Sequence, residues 1–199
     1  MAHDTSNLFA LDKVGRPRLF YSGILNSSRP AAPYRQASGK RHPMKSLVIH
    51  AARDLRVEDH EVQDPGPGEV KVAIAAGGIC GSDLHYYNHG GFGTIRIKEP
   101  MILGHEVAGH VVALGEGVTS LSEGQLVAVS PSRPCHTCAY CAEGKQNHCL
   151  NMRFYGSAMP FPHIQGAFRE VLVADEAQCA PATGLSAGEA AMAEPLAVC

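Results

Sequence analysis

The 199-residue sequence has no apolar run approaching the roughly 20 residues of a membrane-spanning helix. Nor does a basic start lead into the apolar stretch of a signal peptide, so neither a membrane nor a secretory route is expected and a cytoplasmic setting is. An excess of one charge sign is missing too. The net charge is −2, divided into +5 over residues 1–43 and −7 over the rest. An acidic body argues against nucleic acid as a partner. No unit recurs at a period of roughly 20–50 residues, which excludes a solenoid or propeller. A Gly-x-Gly-x-x-Gly turn between strand and helix is also absent, because Gly77, Gly78 and Gly81 surround a cysteine instead. No dinucleotide-binding domain is therefore expected within this chain. The helix of a zinc protease, His-Glu-x-x-His, is excluded as well: Gly109 stands where the second histidine belongs, and His110 comes one residue late.

What is present is an ordinary globular composition, 45% hydrophobic and 18% charged, of a length suited to one domain or slightly more. The seven cysteines are an odd number. Without a leader, that reads as metal or thiol chemistry in a reducing compartment. Cys135, Cys138, Cys141 and Cys149 make the strongest pattern, since four thiolates can cage one tetrahedral Zn²⁺ in a closed, structural site. Three other readings compete. Cysteines two residues apart pair badly as disulfides; a Cys135–Cys138 redox pair lacks its β-α context; an iron–sulfur cluster has no further support. Structural zinc is preferred, with His136 and His148 as exposed neighbours.

Residues 1–43 are rich in Ser, Pro, Arg and Ala without sustained periodicity, and are expected to be a disordered extension. From Met44 the texture is β: Lys45–His50, Leu55–Val62, Glu69–Ala76, Val107–Leu114, Leu121–Pro131 and Phe168–Ala174 read as short strands broken by Gly and Pro. Asp64-Pro65-Gly66-Pro67-Gly68 is a turn cluster. Ser82–Tyr87 reads as the start of a short helix capped by Ser82 or Asp83, Met152–Gly166 as a loop, and Ser186–Met192 as a helix opened by a capping box.

A second constellation lies outside the cysteine cluster. Cys80 in Gly-Ile-Cys-Gly-Ser-Asp, with His105 and Glu106 in Gly-His-Glu, supplies a thiol, an imidazole and a carboxylate. Brought together by a fold, these are the ligand types of a catalytic Zn²⁺ that keeps a fourth position open. Singly each is weak, because lone cysteines and histidines are commonly core residues. Jointly they carry a resemblance. Gly104-His105-Glu106, Gly109, Gly115 and Val118, with the stretches 77–87 and 152–159, are similar in order and spacing to the zinc-dependent medium-chain dehydrogenases. Residues 44–199 resemble the N-terminal, GroES-like catalytic half of that family, most nearly the branch that oxidises L-idonate and, more distantly, sorbitol.

The resemblance implies a mainly β fold: a GroES-like, partly open barrel with short helices and a Cys₄ zinc lobe. It implies a catalytic zinc on Cys80 and His105, with Glu106 and Glu194 as the further candidate ligands. A thiolate, a neutral imidazole and one carboxylate neutralise Zn²⁺, whereas a second carboxylate would blunt its Lewis acidity; one glutamate is therefore expected to bind at a time. Ser82 is implied as acceptor of the substrate hydroxyl proton and His85 as its relay to solvent, while Arg153 and Tyr86 are expected to contact the substrate, a polyol or sugar acid. NAD(P) would be held by a dinucleotide-binding half missing here, and the full-length protein is expected to form a homo-oligomer. The chain is thus read as a catalytic-domain fragment, inactive alone. The alternative is a non-catalytic zinc-binding module that acts by interaction.

Overall fold

The computed structural model describes residues 43–199; the extension expected over residues 1–43 lies, but for Pro43, outside them. Among the described residues the elements are β1 (Met44–Ala51), β2 (Asp54–His60), β3 (Glu69–Gly78), α1 (Gly81–His89), β4 (Gly91–Phe92), β5 (Ile95–Arg96), β6 (Met101–Ile102), β7 (Glu106–Leu114), β8 (Leu126–Val129), β9 (Ser132–Arg133), α2 (Ala139–Ala142), β10 (Arg153–Phe154), β11 (Val171–Asp175), β12 (Cys179–Pro181), α3 (Ala187–Ala191) and α4 (Ala193–Val198). The fold is mainly β, as the spacing of short β-branched runs predicts.

Five strands form an antiparallel sheet in the order β11-β3-β7-β8-β12, and three form a second in the order β2-β1-β6. β3 is an interior strand of the larger sheet, and Val70, Lys71 and Val72 are all buried, so both of its faces are covered there. The two sheets are joined where β1 meets the segment before β11. There Leu47 donates its N–H to the Phe168 carbonyl (2.8 Å) and Glu170 donates to the Lys45 carbonyl (3.0 Å). This makes an open barrel whose principal core is Val70, Val72, Val107, Val111, Val127, Val129 and Leu172. Burying each such side chain contributes about 1.5–3 kcal/mol.

Two smaller cores place the ends of the barrel. Ile49, Met101, Leu103 and Tyr86 seat α1 against β1 and β6. On the other side Ala108, Ala182, Ala190 and Ala191 let α3 lie close to β7. Because strand side chains alternate, Val107 and Val111 face the main core while Glu106 and Ala108 face the α3–α4 side. The Ser186–Glu189 capping box opens α3 as its sequence predicts, with Glu189 accepting from the Ser186 N–H at 2.8 Å.

Some boundaries differ from expectation. The stretch read over 121–131 has the turn expected at Gly124, which takes φ +83° while Gln125 donates to the Ser122 carbonyl, but its strand is shorter and confined to β8. The loop read over 152–166 contains β10, which pairs with β9. Both strands of that ribbon are only two residues long, too short for period-2 alternation to register.

Close backbone approach makes opposite demands on two glycines. A Cβ on Gly109 would lie 2.2 Å from the Ala73 carbonyl oxygen, whereas one on Gly188 in α3 meets nothing within 4 Å. Gly109→Ala is expected to destabilise the protein by about 1–3 kcal/mol. Gly188→Ala is expected to stabilise it by about 0.4–1 kcal/mol. Denaturant melts of the two variants, read against the parent, check the opposite signs.

Candidate metal centres

The convergence of Cys80 with His105 and Glu106 is a matter of strand register. β3 and β7 are antiparallel, and Gly78, the last residue of β3, stands opposite Glu106, the first of β7. Cys80 follows Gly78 by two residues and His105 precedes Glu106 by one, so a gap of 25 positions along the chain closes at the sheet end. Ligand atoms of Cys80, His105 and Glu106 lie within 4.8 Å of one another. His105 and Glu106 are buried and Cys80 is half-buried. A Cβ on Gly78 would press on the Glu106 carboxylate and displace it, so glycine here leaves that side chain its place.

One buried carboxylate fixes the approach. Asp83 accepts from the Cys80 N–H (3.0 Å) through one oxygen and from the Gly104 N–H (3.2 Å) through the other. It thereby ties the loop carrying the thiol to the loop carrying the imidazole. Burial pushes the Asp83 carboxyl above its ordinary value, against the pull of nearby His105 and of the two N–H groups. The expected helix cap shifts accordingly. It is Cys80, in extended conformation (φ −76°, ψ 157°), that caps α1, because Asp83 at the third helical position reaches back to its N–H. Ser82 is left inside the first turn, half-buried, with His85 exposed three residues on.

Glu194, on α4, is within electrostatic reach of His105 and Glu106 but is not among the three residues whose ligand atoms converge. Burial pushes its carboxyl up, His105 opposes this and Glu106 adds to it. The Phe154 ring lies 5.4 Å from that of His105, forming an apolar wall. The Nδ1 of His105 is buried without a hydrogen-bond partner among the described residues. An orphaned imidazole nitrogen beside a thiol and a carboxylate fits a zinc ion, whose ligand chemistry is that donor set.

The second cluster forms the lobe between β9 and β10. The sulfurs of Cys135, Cys138, Cys141 and Cys149 lie within 4.8 Å of one another, and all seven cysteines are free thiols. Cys149 Sγ accepts from the N–H of Cys135 (3.2 Å) and of Asn151 (3.4 Å), and Asn151 Nδ2 points to Cys135 Sγ at 3.6 Å. The Thr137 N–H is the largest influence holding the Cys135 thiol down to about 5, while burial pushes Cys141 up to about 12. Four sulfurs this close cannot all ionise without mutual repulsion, and a divalent cation relieves that repulsion. His136 and His148 are exposed beside the cage, as expected of neighbours. Arg133 anchors the root of the lobe, meeting Asp175 at 2.6 Å and Glu69 at 3.2 Å.

Residues 66–184 match the alcohol dehydrogenase GroES-like domain model. The chain belongs to the GroES-like domain family of the alcohol dehydrogenases. It is 44% identical over 155 residues to L-idonate 5-dehydrogenase (NAD(P)(+)) of Escherichia coli, covering 77% of this chain and 44% of that protein. It is 38% identical over 156 residues to a sorbitol dehydrogenase of Bacillus subtilis, covering 78% and 43%. The crystal structure of the Escherichia coli L-idonate 5-dehydrogenase superposes with a TM-score of 0.73 at 43% identity, over 80% of this chain and 45% of that one. This GroES-like chain therefore spans under half the length of these relatives.

Of the two expected substrate residues, one is buried in the core and the other lines a groove. Tyr86 is 2% exposed in the core beneath α1, with its hydroxyl accepting from the Ala158 N–H at 3.0 Å. Arg153 precedes Phe154 on β10 and lines a groove of about 590 Å³ together with Arg133 and Arg169. Of the residues sequence reasoning passed over, Asp83 had a signal, namely an acid three residues after Cys80 at capping-box spacing. Phe154 had none, because its place depends on the pairing of β9 with β10.

Asp83→Ala leaves two N–H groups without their carboxylate at the heart of the cluster. A loss of about 2–4 kcal/mol in stability is expected, accompanied by faster exchange of the Gly104 amide. Hydrogen-exchange NMR checks both, and a Gly104 amide as protected as in the parent would contradict the role given to Asp83.

Proposed function

We propose that this chain is the metal-binding catalytic part of a zinc-dependent NAD(P) dehydrogenase that oxidises a secondary alcohol of a polyol or sugar acid, L-idonate in the first instance. The observation that carries the reading is the convergence of Cys80, His105 and Glu106 at the end of the β3–β7 ladder. Cys80, His105 and one glutamate would hold the catalytic zinc, and the four lobe cysteines a structural one. The catalytic zinc, when bound, supplies the positive charge that acidifies a substrate hydroxyl. Glu106 and Glu194 serve one at a time, since both together would leave the cluster negative.

The remaining work falls to the chain's own side chains. Ser82 accepts the hydroxyl proton at Oγ and passes it towards His85, which sits on the next turn of the same helix and opens to solvent. Phe154 excludes water from one side of His105. The nicotinamide is bound by a dinucleotide-binding half lying outside this chain, so turnover is expected of the joined protein and not of these residues alone. The choice of L-idonate rests on the 44% identity to the idonate enzyme over 155 residues, against 38% to the Bacillus subtilis sorbitol dehydrogenase over 156. Sorbitol is kept beside it because two vertebrate sorbitol dehydrogenases reach 45% over 102 residues.

Two zinc ions per chain are expected by elemental analysis. Cys80→Ala should leave one zinc and an intact fold, while Cys141→Ala should release the other and loosen the lobe. Metal-free protein that keeps the parent's melting behaviour in chelator would remove the proposal. In the joined enzyme Ser82→Ala is expected to lower kcat by about 10²–10⁴-fold, assayed on L-idonate and sorbitol with NAD and NADP. Arg153 lines a groove that none of Cys80, His105 and Glu106 lines, so Arg153→Ala is expected to leave the preference between those two substrates unchanged in the same assay.

A further inference from the structure

Several histidines of the described chain are held by hydrogen bonds. His163 uses both ring nitrogens, one accepting from the Lys98 N–H and the other bonded to the Pro160 carbonyl, at 2.8 and 2.9 Å. His50 is held by Glu58 at 2.6 Å and His110 by the Gly124 carbonyl at 3.2 Å. His85 and His89 are different. Both are exposed on α1, and among the described residues neither takes part in a hydrogen bond or ion pair. They stand four residues apart, so they share one helical face, with ring centroids 6.0 Å apart and planes inclined by 37°.

That is the separation a shared ion requires. Two imidazoles bound to one zinc at about 2.0–2.1 Å have ring centres roughly 5–6 Å apart, and the observed 6.0 Å stands at the edge of that range. The helix adds a favourable field. α1 ends at His89 and is closed by Gly90 in the left-handed conformation, so the last-turn carbonyls place partial negative charge beside the pair. Phe92, 6.1 Å from the His85 ring, walls one side and leaves the outer side to water ligands.

We propose that His85 and His89 form an accessory site for a divalent transition-metal ion, Zn²⁺ in the first instance, separate from both clusters above. Occupation ties up the His85 imidazole, so excess zinc inhibits the dehydrogenase by removing the outer step of proton release. The inhibitory consequence rests on the relay reading of His85; the site itself does not.

The test begins with the chain already carrying its tightly bound zinc, titrated calorimetrically with further Zn²⁺. One additional, weaker equivalent is expected. His89→Gln should lower its affinity by about 10-fold or more, because the second tethered donor is gone. Imidazole ¹⁵N resonances of His85 and His89 should shift together over the same zinc range. No additional equivalent, an equivalent kept at full affinity in His89→Gln, or resonances that do not move would each overturn the site while leaving the relay reading untouched. In the joined enzyme, excess Zn²⁺ should lower kcat of the parent and act far more weakly on His89→Gln, whose activity without added zinc equals the parent's. Binding at these two residues with no loss of turnover would overturn the inhibitory role and would count against His85 as the relay.

Discussion

Gly78 opposite Glu106 is the pairing on which the site depends. Once β3 and β7 lie in that register, Cys80 has to emerge beside His105, and the side-chain alternation of β7 turns Glu106 towards α3 and α4. A slip by one residue would send Glu106 into the main core and Val107 out of it. The register is in turn held by the valines that fill the barrel: Val70 and Val72 on one strand, Val107 and Val111 on the other. Core packing and ligand placement are thus a single constraint. Asp83 completes it at the open end of the ladder, where no further strand pairing can hold the two loops together.

Polar burial near the cluster is compensated group by group. Asp83 has two N–H donors, and Glu194 has the neighbouring His105 set against Glu106. The His105 Nδ1, buried like the Ser46 Oγ and the His60 Nδ1, stands without a hydrogen-bond partner among the described residues. A buried imidazole nitrogen left unpaired costs free energy, and its position beside a thiol and a carboxylate gives that cost a chemical use. The lobe follows the same logic with sulfur, as N–H groups of Cys135 and Asn151 reach Cys149 before any ion is considered.

Much of this was legible in the sequence. β1, β3 and β7 could be read from β-branched alternation and α3 from Ser186 and Glu189, while the cysteine cluster stood out by its spacing and the grouping of Cys80 with His105 and Glu106 through the family resemblance. Other features were hidden for physical reasons. The cap of α1 falls on Cys80 because a side chain three residues later reaches back, a choice that local propensity at Ser82 does not reveal. β9 and β10 are too short to show a period, so neither the place of Phe154 beside His105 nor that of Arg153 in its groove could be inferred. Tyr86 reads as a site residue from its neighbours in sequence, yet helical geometry carries it to the buried side of α1.

The ribbon of β9 and β10 has one more implication. Its strands enter and leave the sulfur-rich lobe, and Phe154 at its end leans on the His105 ring. The cage thus closes the loop between two short strands that would otherwise be joined by a long, floppy excursion. Whatever holds the four sulfurs together therefore also holds the two ends of that excursion, and with them Phe154 against the His105 ring. A packing contact at one cluster thus leans on chemistry at the other.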